Sequence, residues 1–149
     1  FSPNRPAALL NGSGRIWRLF PNYREVEQEY YRRTAFFPIM HLVVVRRPLY
    51  QEHPWVAASL LQAFAQAQRL GWERLQAPGA LRLLLPWLTA EIEATTALMG
   101  PNHWKQGFAE NQTILDTMCR YHYEQGLSER PLNVEDLFAR ETHEITLEY

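Results

Sequence analysis

The stretch RRTAFFPIMHLVVVRRPLYQEHPWVAASLL, residues 32–61, decides how the chain is read. Its centre, Phe36 to Val45, is β-branched and aromatic, is bounded by charge on both sides, and has the length of a buried strand. His41 interrupts that apolar run. A titratable ring there is either a core residue with a satisfied hydrogen bond or a group that faces a ligand. Pro38, just upstream, cannot donate a ladder hydrogen bond, so the strand is expected to be irregular or at a sheet edge there. Such breaks often mark where a strand leaves a sheet beside a cleft.

Upstream, residues 1–14 are rich in Pro, Asn, Gly and Ser, with one helical turn expected at PAALL. RIWRLF (15–20) reads as a short strand closed by Pro21. NYREVEQEYYRR (22–33) places Asn22 as N-cap and Glu25 at the capping-box position of a charged helix. Downstream, Pro48 and Pro54 bracket a helical turn, and Pro54 suits the first turn of a long helix. There Val56, Leu60, Leu61 and Phe64 recur at helical spacing, with Gly71 expected to weaken or end the helix. APGALRLLLPWL is ambiguous, with a turn at Pro78-Gly79. A helix is expected from about Pro86 to the stop at Gly100-Pro101, another from Asn111 to Gln125, and a short last one over NVEDLFA, capped by Asn133. One apolar strand among helices normally belongs to a parallel sheet whose other strands lie elsewhere. The expected class is therefore α/β and helix-rich, with further sequence upstream. The opening FSPNRPAALL, without methionine, carries the same expectation of a piece of a longer polypeptide.

The bulk numbers set the bounds. At 149 residues, 46% hydrophobic and 21% charged, the composition is that of one ordinary globular domain. A net charge of −1 supplies no electrostatic reason to expect nucleic acid or an anionic membrane. Five Trp, seven Tyr and seven Phe suit large buried contacts and flat ligands alike. A single cysteine, Cys119, excludes a disulfide within the chain and reads as a small buried apolar residue on a helix. No apolar stretch is long enough to span a bilayer, and no secretory signal is visible.

Generic catalytic motifs are absent: no G-x-G-x-x-G, no phosphate loop, no HExxH, no paired CxxC and no G-x-S-x-G. Histidines 41, 53, 103, 122 and 143 are scattered without metal-like pairing. His122, late in a helix, favours the dipole there. His53 and His103 read as turn residues packed beside tryptophans. Two places stand out. One is Arg5, framed by prolines in FSPNRP, where a guanidinium either grips a carboxylate through two hydrogen bonds or is simply solvated. The other is FFPIMH, with His41 beside the Pro38 break.

From FSPNRPAALL to about Glu141 the chain resembles the second half of the 4,5-dihydroxyphthalate decarboxylase family. YYRRTAFFPIMH and RYHYEQGLS are the specific blocks, and LPWLTAEIEATTALMG, TILDTMCRYHYEQGLS and LNVEDLFA continue the match in order. The helix after EHPWVA is less specific, because it is similar to many solute-binding proteins. The resemblance implies the C-terminal half of a two-lobed, type 2 periplasmic-binding-protein-like α/β fold. Residues 1–35 would finish the second lobe, and 36–149 would supply a hinge-return strand and helices packed on the first lobe. His41 would then lie on the cleft floor and face the ligand.

The resemblance also implies a reaction, 4,5-dihydroxyphthalate to protocatechuate and carbon dioxide, with no cofactor required. It implies His41 as proton donor or acceptor and Arg5 as carboxylate anchor. Phe37, Pro38 and Met40 would wall the ring, and Tyr31 or Thr34 would add a hydrogen bond. No metal cluster is expected in this stretch. The partner would be a small aromatic acid, in the cytoplasm, with no nucleic acid and no membrane. The competing class is a transporter's solute-binding protein, which shares the fold without the chemistry. Alone, the chain is expected to be inactive and to expose sticky surface or self-associate as a homo-oligomer.

Overall fold

In a computed structural model, residues 6–12, 16–77, 79 and 83–147 are described. The chain divides into two units, one ending at Phe36 and one running from Phe37 to the C-terminus.

The first unit holds α1 (Ala7–Leu10) and α2 (Tyr23–Thr34). Good helix formers and complementary end charges make α2: Glu25 lies in its first turn, and Arg32 and Arg33 in its last. Asn22 occupies the cap position, as the sequence suggests, but its side chain makes no capping hydrogen bond. The helix ends at Ala35, whose φ of 55° is left-handed without being glycine. Three local bonds hold that turn. The Ala35 N–H donates to the Tyr31 carbonyl at 2.7 Å, the Thr34 hydroxyl to the Tyr30 carbonyl at 2.8 Å, and the Phe36 N–H to Thr34 Oγ1 at 3.1 Å.

The second unit holds α3 (Arg47–Glu52), α4 (Trp55–Gln76), α5 (Leu88–Met99) and α6 (Phe108–Glu124). Two 3₁₀ turns follow, Val134–Leu137 and Arg140–Thr142. Proline opens α3, as its fixed φ and missing N–H allow. Gly71 does not end α4, which continues to Gln76. The Arg69–Glu73 pair, 3.0 Å apart, bridges that position, and one glycine costs a helix only about 1 kcal/mol. Gly100, at φ 83°, stops α5 where the Gly-Pro signal places the stop. Leu88, not Pro86, is the first residue of α5, and α6 begins at Phe108, earlier than Asn111. The last expected helix is a 3₁₀ turn, but Asn133 caps it as expected, accepting the Glu135 N–H at 3.3 Å.

The core is small. Phe108, Leu115 and Cys119 lie on one face of α6 and close on Val134, with Leu132 and Phe138 partly buried around them. The His143 ring stacks on Phe108 at 4.3 Å, and its Nε2 lies 3.3 Å from the Phe138 carbonyl. Packing of α4 against α3 and the Arg140–Thr142 turn completes the unit. The Tyr50 hydroxyl at the end of α3 donates to Glu141 Oε2 at 2.6 Å.

The sheet expected of an α/β protein is not found among the described residues: they are helix-rich and form no strand. The strands expected at 36–46 and 15–20 are accordingly not formed among the described residues. Residues 16–20 and 36–46 are outside any helix or ladder, and Val44 is 88% exposed. The reason is physical. A strand is stabilised by hydrogen bonds to a neighbour, and no described segment lies alongside as a partner. Among the described residues no helix is long and apolar enough to cross a membrane.

Candidate functional site

The residues singled out in the sequence fall into three groups. Arg5 lies outside the described residues. Tyr31 and Thr34 belong to the first unit, at the last turn of α2. Phe37, Pro38, Met40 and His41 belong to the second, on the apolar run that leads into α3.

Thr34 is engaged locally. Its one hydroxyl proton goes to the Tyr30 carbonyl and its oxygen accepts the Phe36 N–H, so it braces the end of α2. A carboxylate would need the proton that Tyr30 already takes. Half-buried Tyr31 lends its carbonyl to the same turn.

In the second unit Phe37, Pro38, Met40 and His41 are all exposed. Pro38 keeps this run from regular pairing at its own N–H-less position. The run is thus an accessible apolar surface with one imidazole on it. Phe37 has a partner the sequence did not reveal: its ring meets Trp104 with centroids 5.3 Å apart, tilted by 55°. Trp104 lies in the loop between α5 and α6, far away in sequence, and its carbonyl accepts a hydrogen bond from Gln68 Nε2 of α4 at 2.6 Å. A tryptophan between Gly100 and Gly107 was visible in the sequence, but nothing there linked it to Phe37.

A separate cavity of about 540 Å³ lies at the C-terminal turns, lined by Glu135, Asp136, Arg140, Glu141, His143, Glu144 and Ile145. Phe37, Pro38, Met40 and His41 are not among its lining residues. Four carboxylates on its wall make it a poor seat for a dianionic acid, since like charges there repel. Glu141 is held below the usual carboxylate range, first by the Tyr50 hydroxyl, while the same hydrogen bond pushes the Tyr50 phenol up. Burial, helped by Asp116, pushes the Cys119 thiol up, so it is a packing group and not an activated nucleophile. His103 and His122 each bury a ring Nδ1 without a hydrogen-bond partner among the described residues. No group of three or more His, Cys, Asp or Glu among the described residues is arranged to hold a metal ion.

Comparison with known proteins gives the class of its relative: nearly the whole chain is similar to a decarboxylase. The chain is 32% identical over 136 residues to the 4,5-dihydroxyphthalate decarboxylase of Comamonas testosteroni, which covers 91% of this chain and 41% of that relative. It therefore spans about two fifths of the length of the curated relative it matches. No protein-family model matches the chain.

Proposed function

We propose that this chain contributes to the site of a carboxy-lyase that converts 4,5-dihydroxyphthalate, or a closely related aromatic dicarboxylate, to protocatechuate and carbon dioxide. The observation that carries this reading is the 32% identity over 136 residues to a decarboxylase of that substrate. The exposed aromatic run with its single imidazole is the local support.

The chemistry is within reach of ordinary side chains. Each carboxylate of the substrate is para to a hydroxyl. Removing the hydroxyl proton pushes an electron pair through the ring to the carbon bearing that carboxylate, which takes a proton. In the resulting dienone the carbon–carbon bond to the carboxylate breaks. Its electron pair returns to the ring, which regains aromaticity as carbon dioxide departs. The substrate is its own electron sink, so the protein's tasks are to anchor the other carboxylate, move a proton and keep water from the leaving group.

In this proposal His41 moves the proton, because histidine is the side chain suited to proton transfer near neutral pH. Arg5 anchors the second carboxylate through a two-point hydrogen bond. Phe37, Pro38 and Met40 form apolar walls, and Tyr31 offers its hydroxyl. Thr34 serves through the turn it braces. The exposed run at 36–46 pairs with a sheet supplied by further polypeptide in a two-lobed fold, which also covers His41 from water; the chain by itself is inactive and prone to self-association. The setting is the cytoplasm.

The test is turnover of 4,5-dihydroxyphthalate by the longest native polypeptide that carries this sequence, with the product identified by mass. Protocatechuate formation, abolished by His41→Gln with circular dichroism unchanged, is the expected result. Full activity in His41→Gln removes that residue from the mechanism. Tight binding without product makes the protein a solute receptor instead.

A further inference from the structure

Trp104 stands in the loop between α5 and α6 with half its surface, 51%, open to solvent. Leaving so large a ring in water forgoes burial energy, and an unconstrained loop would turn it inward. This loop is constrained around it. Both flanking glycines, Gly100 at φ 83° and Gly107 at φ 87°, adopt backbone angles that L side chains rarely take. Gln68 of α4 donates to the Trp104 carbonyl at 2.6 Å, and Gln106 donates in turn to Gln68 Oε1. On one side the His103 ring packs edge-on against Trp72 at 5.0 Å. On the other, the Lys105 carbonyl accepts Asn111 Nδ2 at 3.1 Å, and its ammonium lies 3.2 Å from Glu110. The ring is thus held by its neighbours' bonds while its own surface stays free.

Among the described residues its ring partner is Phe37, itself 38% exposed, at the start of the run that carries Pro38, Met40 and His41. Three residues separate Phe37 from His41, a reach of at most about 14 Å of extended chain. A fixed, tilted pair of aromatic rings that close to a proton-transfer group is a platform for a flat ring, against which offset or edge contacts are favourable.

Building on the decarboxylase reading above, we propose that Trp104 is a substrate-binding residue: with Phe37 it forms the wall on which the ring of the aromatic acid lies, and it selects an aromatic diacid over a saturated one. Gln68 is the positioning residue that sets the Trp104 backbone.

The experiment uses the longest native polypeptide carrying this sequence and compares inhibition of 4,5-dihydroxyphthalate turnover by phthalate and by cis-cyclohexane-1,2-dicarboxylate, the saturated acid of the same charge pattern. The parent is expected to bind phthalate about 3- to 10-fold more tightly, the range that one aromatic contact provides. Trp104→Leu is expected to bring that ratio to about one by weakening phthalate alone, and Trp104→Phe to restore most of it. A merely structural role would weaken both inhibitors together. A parent-like ratio in Trp104→Leu, or equal weakening of both acids, overturns the assignment while leaving the decarboxylase reading in place. If the parent neither turns over the substrate nor binds phthalate, the underlying reading fails and this one with it.

Discussion

Replacing Leu115 with alanine probes the buried cluster that α6 closes on in the second unit. Leu115 is 3% exposed on α6, among Phe108, Cys119 and Val134, with Leu132 and Phe138 at the rim. The substitution removes three carbons from this cluster, a transfer loss of about 2 kcal/mol at roughly 0.8 kcal/mol per buried methylene. A residual cavity adds to that, within the ~2–5 kcal/mol span of such substitutions. One wall of the cluster is a 3₁₀ turn and irregular chain, not a second helix. That wall can move inward, so the expected loss is toward the lower end, about 2.5–3 kcal/mol. For a chain of this size that is a fall in Tm of roughly 10 °C. Urea and thermal unfolding followed by far-ultraviolet circular dichroism read it directly. The control is Met118→Ala on the same helix, where the side chain is 45% exposed and the change should lie within about 0.5 kcal/mol. Equal losses at the two positions, or less than about 1 kcal/mol at Leu115, would show that α6 is not held by this face.

Two further outcomes follow from the titrating groups. The Tyr50–Glu141 hydrogen bond lowers the Glu141 carboxyl from 4.5 and raises the Tyr50 phenol from 10.0. Its contribution is therefore complete between those two values. It is lost in acid as pH falls through the lowered Glu141 pKa, and in alkali as pH rises through the raised Tyr50 pKa. The Tm difference between the parent and Tyr50→Phe should be widest in that window and close at both ends; a difference independent of pH refutes the assignment. Cys119, 3% exposed with its thiol pushed up by burial, should resist maleimide in the folded chain and label in urea, as mass spectrometry of the adduct can check.

What the sequence made legible was local. The spacing of Val56, Leu60, Leu61 and Phe64 is a property of one turn after another, and α4 is there. Gly100-Pro101 ends α5 and Asn133 caps its turn for reasons that reach only a few residues. Gly71 does not end α4, because a single unfavourable propensity is outweighed by the rest of a 22-residue helix. The run at 36–46 forms no strand among the described residues for a different reason. A continuous apolar, β-branched run is ready for a ladder, but the ladder belongs to a second segment that local sequence cannot supply. The site divides in the same way. Pro38 and His41 could be picked out by type and neighbourhood, whereas the Phe37–Trp104 pair and the Gln68 bond that holds its loop join positions far apart in the chain.

The hydrogen bond between Tyr50 and Glu141 also sets a schedule. Its two ends are 91 residues apart, and the turn that carries Glu141 is the same one that packs on α4. A ribosome adding roughly 5–20 residues per second delivers Glu141 some 5–18 seconds after Tyr50. For that interval α3 and α4 emerge without the turn that packs against α4. Synthesis of this chain thus passes through a stage, seconds long, in which α3 and α4 are present and the latch that ties them to the C-terminal turn is not.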